Sequence, residues 1–315
     1  MVWQIIKKIL MMIPILLLVS IILFFLLRAL PGDAAIIAAG QFATDEDIAE
    51  YREKLGLDKP LYQQYFAWLS GMLHGDFGSS LLTGKPVADK IKERLPATME
   101  LALLAILCSV VIAIPLGIAS AVNRNTGIDS AVSVISLVGI SMPEFWLATL
   151  LVILFSLKLH LLPASGYIAF AGDPLDSLKL MILPAVSIGV TYSAITMRQT
   201  RNAFLEVLDQ DFIVTAKAKG LSGRIIIWKH ALKNALIPII TVVGMQTGKL
   251  FGGAVVAETI FIIPGLGNEI VGSIMNRDYP TTMGVIMMVA VIIIFINTFI
   301  DIIYSFIDPR VGRSK

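Results

Sequence analysis

Six stretches of the chain are apolar for long enough to cross a bilayer: residues 9–30, 98–122, 130–156, 179–198, 236–257 and 283–306. Each is bounded by polar or Pro/Gly-rich sequence, and each is close to or longer than the ~20 residues that span the hydrocarbon core. Backbone groups in lipid must be hydrogen-bonded within their own segment, so runs of this kind are helices. The first, Ile9 to Leu27, follows Lys7 and Lys8. It exceeds the ~7–15 apolar residues of a secretory signal, which predicts an uncleaved membrane helix over residues 1–30.

Polar periodicity interrupts this pattern in two places. In residues 31–97, "TDEDIAEYREKLGLDKP" has a helix start at Thr44 with acids in the first turn, a stop at Gly56 and Pro60 beyond it. "LYQQYFAWLSGMLHGDFG" follows, aromatic-rich and apolar on one face, suited to the membrane surface. The segment reads as short extracytoplasmic helices, not a catalytic domain. Residues 98–315 form a membrane core that includes a basic loop at 198–235. Inside loops of membrane proteins carry an excess of Lys and Arg. Lys7, Lys8, Arg124, the loop cations Arg198, Arg201, Lys217, Lys219, Arg224, Lys229 and Lys233, and the tail residues Arg310, Arg313 and Lys315 all fall on one side. The short loops opposite, 157–178 and 261–282, hold only Lys158 and Arg277. Both termini are therefore expected in the cytoplasm, with six spans between them.

Composition agrees with a membrane protein: 57% of residues are hydrophobic and 15% charged, against about a quarter charged in soluble domains. The net charge of +2 gives no reason to expect nucleic acid. Cys108 is the single cysteine and lies in an apolar run, so no internal disulfide forms. His74, His160 and His230 show no metal-ligand spacing. "GMQTGKL" differs from a phosphate-binding loop, which needs four residues between its glycines and Ser or Thr after its lysine. No cofactor or ATP site is expected on the chain.

Candidate path residues come from groups that are costly in lipid. Glu144 in "GISMPEFW" lies within the third stretch beside Met142 and Pro143, where proline frees a carbonyl and bends a helix. Glu258 lies near the end of the fifth stretch and Asp301 near the end of the sixth. Each could line a path or be paired with Lys, Arg or backbone. Lys249, off the glycine face, could partner any of them. Gly244, Gly248 and Gly252 recur on one helix face and let another helix approach closely, within the chain or from a partner.

The basic loop has a shape of its own. "TRNAFLEVLDQDFIVTAKAKG" predicts a helix with Phe204, Val207, Leu208, Phe212 and Thr215 on its apolar face and Lys217 and Lys219 in its last turn. Gly220 is placed as the left-handed stop, Leu221 to fold back on Ala216 or Thr215, and Ser222 to cap a second helix. The result is a compact knuckle whose capped turn and apolar tip fit a protein socket better than anionic lipid alone.

Several motifs together now resemble a known family. They include "FFLLRALPGDA", "LGLDKPLYQQY", "GDFGSSL", "LPATMELA", "GISMPEFWLA", "TAKAKGLS", "HALKNALIPIIT", "ETIFIIPGLG", "RDYP" and "FIDPR". Over nearly its whole length the chain resembles the permease subunit of ATP-binding-cassette importers of the dipeptide/oligopeptide/nickel class. That resemblance implies an all-α type I importer permease fold and one half of a translocation pathway. It implies a second related permease, two ATPase subunits carrying ATP and Mg, and an extracytoplasmic binding protein. The substrates it implies are dipeptides or oligopeptides, with nickel chelates, opines or glutathione as alternatives. Thr215, Ala216, Lys217, Ala218, Lys219, Gly220 and Leu221 would be the helix that couples to the ATPase. The family's Glu-Ala-Ala positions hold Val214, Thr215 and Ala216 here, the spacing to Pro238 is longer than in the general loop, and Ala34 replaces the usual proline after "PGD". An ion-driven secondary transporter using Glu144, Glu258 and Asp301 is the alternative of another class; nothing in the sequence supports a membrane enzyme.

Overall fold

A computed structural model describes residues 2–29, 33–40 and 42–307; the side chains of residues 2–5, 7, 301 and 303–307 lie outside it. All regular elements among the described residues are helical. Five helical stretches are long and apolar enough to cross a membrane: Lys8–Ala29, Val87–Val122, Pro174–Leu208, Gly223–Ile260 and Tyr279–Ile300. The expected third span is instead a bent pair, α6 (Gly127–Ser141) and α7 (Glu144–Leu151), the latter running on as a π-helix to Lys158; the two meet at 104°. The sequence contains the cause. Met142 is extended, as a residue before proline prefers, and Pro143 has no N–H with which to continue α6.

The chain divides into two compact units, residues 1–98 with 264–295, and residues 99–263 with 296–315. In the first, α1 (Val2–Ala29) packs against α4 (Leu61–Leu73). Ser20 and Tyr65 share a buried 2.8 Å hydrogen bond, and Phe24 meets Tyr65 edge-on with Trp68 behind. Between them in the chain, after α2 (Ala34–Ala39), α3 (Asp45–Lys54) starts at Thr44 with a full capping box to Asp47 and stops at Gly56, whose φ is +62°. Thr44 donates to Asp47 from both its N–H and its hydroxyl, which holds that carboxyl below its ordinary range. Near the start of α5 (Val87–Val122), Lys90 bridges Glu269 of α12 (Leu266–Met275) at 3.0 Å and Asp278 at 3.7 Å. Asp278 is buried and takes further hydrogen bonds from Ser80, Leu81 N–H and Thr281. The "GDFGSSL" and "RDYP" motifs thus meet in one satisfied polar knot.

The second unit is built on α8 (Pro174–Leu208), the element with the largest number of buried positions among those described, and α11 (Leu232–Ile260). Two glycines set the closest approach of α5 and α8. A Cβ on Gly117 would sit 2.7 Å from the Met197 carbonyl, and one on Gly189 would sit 2.7 Å from the Cys108 Cβ. The loop after the π-helix is tied down by Tyr167, which donates to Glu100 at 3.0 Å; burial and then that carboxylate push its hydroxyl up to about 12.

Candidate functional site

The basic loop folds as a knuckle, with one difference from its expected form. The helix over "TRNAFLEVLDQDFIVTAKAKG" breaks at Asp209–Gln210, between α8 and α9 (Asp211–Ala218). An acid suits a helix start, so Asp211 favours the opening of α9, while Asp209 stands at the C-cap of α8. The break rotates the apolar face. Phe204 and Val207 are buried as expected, but Ile213 and Ala216 continue the face and Thr215 is exposed.

The turn after α9 is closed by the paired hydrogen bonds of a glycine cap: Gly220 N–H to the Lys217 carbonyl at 2.9 Å, and Leu221 N–H to the Ala216 carbonyl at 3.3 Å. Gly220 has φ +75° with open space where a Cβ would stand, so its glycine is needed for backbone conformation and not for room. Leu221 is no exposed tip. It is half-buried and packs on the cluster formed by Ile118 and Ala121 of α5, Phe204 of α8, Ile213 and Ala216 of α9, and Ile226. Ser222 stands at the N-cap of α10 (Gly223–Ile225), but its side chain makes no capping hydrogen bond; the chain continues through a π-helix, Ile226–Ala231, into α11. Of the expected coupling residues, Ala216 and Leu221 therefore hold the knuckle together. Thr215, Lys217, Ala218, Lys219 and Gly220 face outward. Val214, 60% exposed, shares that surface.

Behind the knuckle, Arg201 of α8 grips Asp129 of α6 with Nε–Oδ1 2.7 Å and Nη2–Oδ2 2.9 Å. Asp129 also accepts from Ser120 and from Asn125 N–H, so the α5–α6 turn is fastened to α8. One sequence holds no signal that would pair these two residues. Removing one partner of a buried bidentate pair strands the other, so Arg201→Ala is expected to destabilise the assembled protein by about 3 kcal/mol, read as a lower unfolding temperature in detergent. Loss of the same size in Arg201→Lys would show that charge alone does not suffice.

The second cluster surrounds the α6–α7 bend. α7 packs on α8 and α11. Glu144 stands in its first turn, with Oε1 buried and without a hydrogen-bond partner among the described residues. Its carboxylate presses on Gly253 of α11, where a Cβ would lie 2.6 Å from Oε2. Gln246, two turns earlier on the same face, has a buried Nε2 that also lacks a partner. The other candidates lie elsewhere. Gly244 packs on Ile300 and Gly248 on Asn297, both of α13 (Tyr279–Ile307), whereas Gly252 faces open space. Met142 is half-buried and Pro143 exposed at the bend. Glu258 is fully buried near the end of α11, turned away from the Gly253 face. Lys249 is exposed and makes no ion pair among the described residues, and the Asp301 side chain lies outside them.

The described residues thus form helices with close-packed glycines, a broken apolar helix and one shaped loop between two candidate spans. The chain belongs to the binding-protein-dependent transport system inner membrane components, whose family description matches residues 113–313, with the N-terminal description of the same systems matching residues 1–102. It is accordingly a multi-pass inner-membrane permease of an ABC importer, whose ATPase activity lies in separate subunits. It is 41% identical to the dipeptide transport system permease protein DppB of Alkalihalophilus pseudofirmus, over 97% of this chain and 98% of that one. It is 35% identical to the DppB of Escherichia coli K12, over 99% of both. In fold it is similar to a chain of the MetNI methionine ABC transporter in an inward-facing conformation, with a TM-score of 0.59 and 17% identity over 70% of this chain and 96% of that one. Membership implies a second permease, ATPase subunits and a substrate-binding protein, and it sets aside the ion-driven alternative.

Proposed function

We propose that the chain spans the membrane six times, with α6–α7 as one broken span and both termini in the cytoplasm, and forms half of the pathway of an ATP-driven importer of dipeptides or oligopeptides. The names of its relatives support the peptide substrate. The other half comes from a related permease. Two ATPase subunits bind ATP and Mg, and this chain binds neither. An extracytoplasmic binding protein delivers the peptide. The observation that carries the coupling reading is the knuckle: its core is closed by Leu221 and Ala216, and its outer surface presents Val214, Thr215, Lys217, Ala218 and Lys219 together. A short amphipathic helix of this kind seats in a groove. Closure of the ATPases on ATP would move it, and α8 and α11, which flank it in the chain, would carry the movement to the α6–α7 bend. A conformational switch requires a ligand that prefers one state, and ATP on the partners supplies that preference.

Peptide uptake into proteoliposomes tests the reading. Uptake is expected only when both permeases, the ATPases, the binding protein and ATP are present. Peptide accumulation by this chain alone would overturn it.

A further inference from the structure

The first unit contains a cavity of about 700 Å³ lined by none of the candidate path residues. Its place is defined by two membrane helices that end beside it. Leu27 and Arg28, at the C-terminal end of the Lys8–Ala29 span, face Tyr279 and Met283, at the start of the Tyr279–Ile300 span. The cavity therefore lies at the level where hydrocarbon gives way to headgroups. Its lining changes in the same direction. Phe24, Leu27 and Met283 line the side toward the spans, while the residues after α1 and those of the α3–α4 turn contribute charge.

The charges are not equivalent. Arg52 is committed to Asp33 and Lys54 to Glu50. Arg28 and Lys59 make no ion pair among the described residues, although Asp33 attracts the Arg28 guanidinium and the Glu53 carboxylate also lines the cavity; that guanidinium lies over the Phe24 ring, 5.6 Å from its centroid. Two more lining side chains hold polar atoms that are buried without partners among the described residues, Gln64 Oε1 and Trp68 Nε1. On the face of α1 that carries Phe24 and Arg28, Ile21 and Leu17, one and two turns earlier, are exposed, a surface that in a bilayer meets acyl chains. An occupant must then be apolar at one end and anionic at the other.

We infer that this cavity is a binding site for an anionic phospholipid, with its phosphate between Arg28 and Lys59 and an acyl chain running down α1 past Phe24 and Trp68. The site holds α4 and the residues Asp33 and Ala34 against the membrane, in the outer leaflet under the topology proposed above. The inference rests on the membrane setting and not on the peptide substrate, so failure of the uptake experiment leaves it standing.

Trp68 provides the readout. In the complex carrying Trp3→Phe, Trp146→Phe and Trp228→Phe, Trp68 is the remaining tryptophan of this chain, and its partners can be cleared of tryptophan or subtracted. The probes are phosphatidylglycerol and phosphatidylcholine, each with brominated acyl chains, at equal mole fraction in nanodiscs. Two cations at a membrane surface favour the anionic lipid roughly thirtyfold, so phosphatidylglycerol is expected to quench Trp68 at about a thirtieth of the mole fraction that phosphatidylcholine needs. Arg28→Ala with Lys59→Ala should bring the two lipids to parity, while Arg28→Lys with Lys59→Arg should keep the preference. Parity in the unsubstituted pair, or a preference that survives the double alanine variant, overturns the inference. So does loss of the preference on adding inorganic phosphate, which would mark a site for a soluble anion. Quenching by neither lipid until the binding protein is omitted would show that a protein covers the cavity, and overturns it equally.

Discussion

Leu221→Asp is expected to cut ATP-driven uptake by at least tenfold while the chain still inserts and assembles. Leu221 is half-buried against Ile213, Ala216 and the α5 and α8 positions behind them. The substitution removes apolar contact and brings a carboxylate to an apolar cluster, at a cost of about 2–3 kcal/mol. A population shift of that size undocks the end of α9 in most molecules, and the outward residues lose their common surface. Membrane insertion is untouched, because the knuckle lies between the candidate spans and not within them. Hydrolysis by the partner ATPases should then no longer rise when loaded binding protein is added. Two further variants separate folding from contact. Gly220→Ala keeps the cap but places an L side chain at φ +75°, a local cost of about 1 kcal/mol, and should give a partial defect. Val214→Asp leaves the knuckle core intact and should still uncouple hydrolysis from uptake, because Val214 is on the exposed face. Wild-type uptake in Leu221→Asp would remove the coupling role; a defect in Leu221→Asp with none in Val214→Asp would move the contact off α9's outer face.

How much of this was legible in the sequence differs by level. The spans were, because a bilayer demands long apolar runs whatever packs against them. The knuckle's turn was also legible, since a glycine after a lysine-bearing helix end has a local reason. Which face of α9 is buried was not. That depends on the break at Asp209–Gln210, which shifts the helical register and turns Thr215 outward and Ile213 inward. The bend at Pro143 was half legible: proline predicts a kink, but a 104° turn also needs Met142 extended and α8 and α11 packed against α7. The glycines show the same limit. The regular repeat Gly244, Gly248 and Gly252 drew attention, yet Gly117, Gly189 and Gly253 have no repeat and make closer approaches to neighbouring elements than Gly252 does. Close approach is a property of two helices, and one sequence displays each alone.

The Glu144–Gly253 contact gives the second large effect. Gly253→Leu should reduce uptake by at least tenfold with the complex assembled, because its Cβ alone would lie 2.6 Å from Glu144 Oε2 and 3.1 Å from Cδ. The carboxylate is the flexible end of a side chain, so Gly253→Ala can be accommodated if Glu144 moves, and its defect should be smaller. The two readings of Glu144, packing against α11 or serving the path by its charge, then separate in a double-mutant cycle. If the contact is only steric, Glu144→Ala should relieve Gly253→Ala, with a coupling of about 1–2 kcal/mol, roughly tenfold in rate. If the charge matters, Glu144→Gln, which keeps the volume, should itself change uptake while leaving the unfolding temperature near that of the parent. A carboxylate with one oxygen buried and unpartnered among the described residues is costly to hold, so a purely structural Glu144 should make Glu144→Gln neutral or stabilising without effect on transport. Unchanged uptake in Glu144→Gln, together with full rescue in the cycle, would reduce Glu144 to a packing residue at the bend. Altered uptake with no rescue would make its charge part of the path.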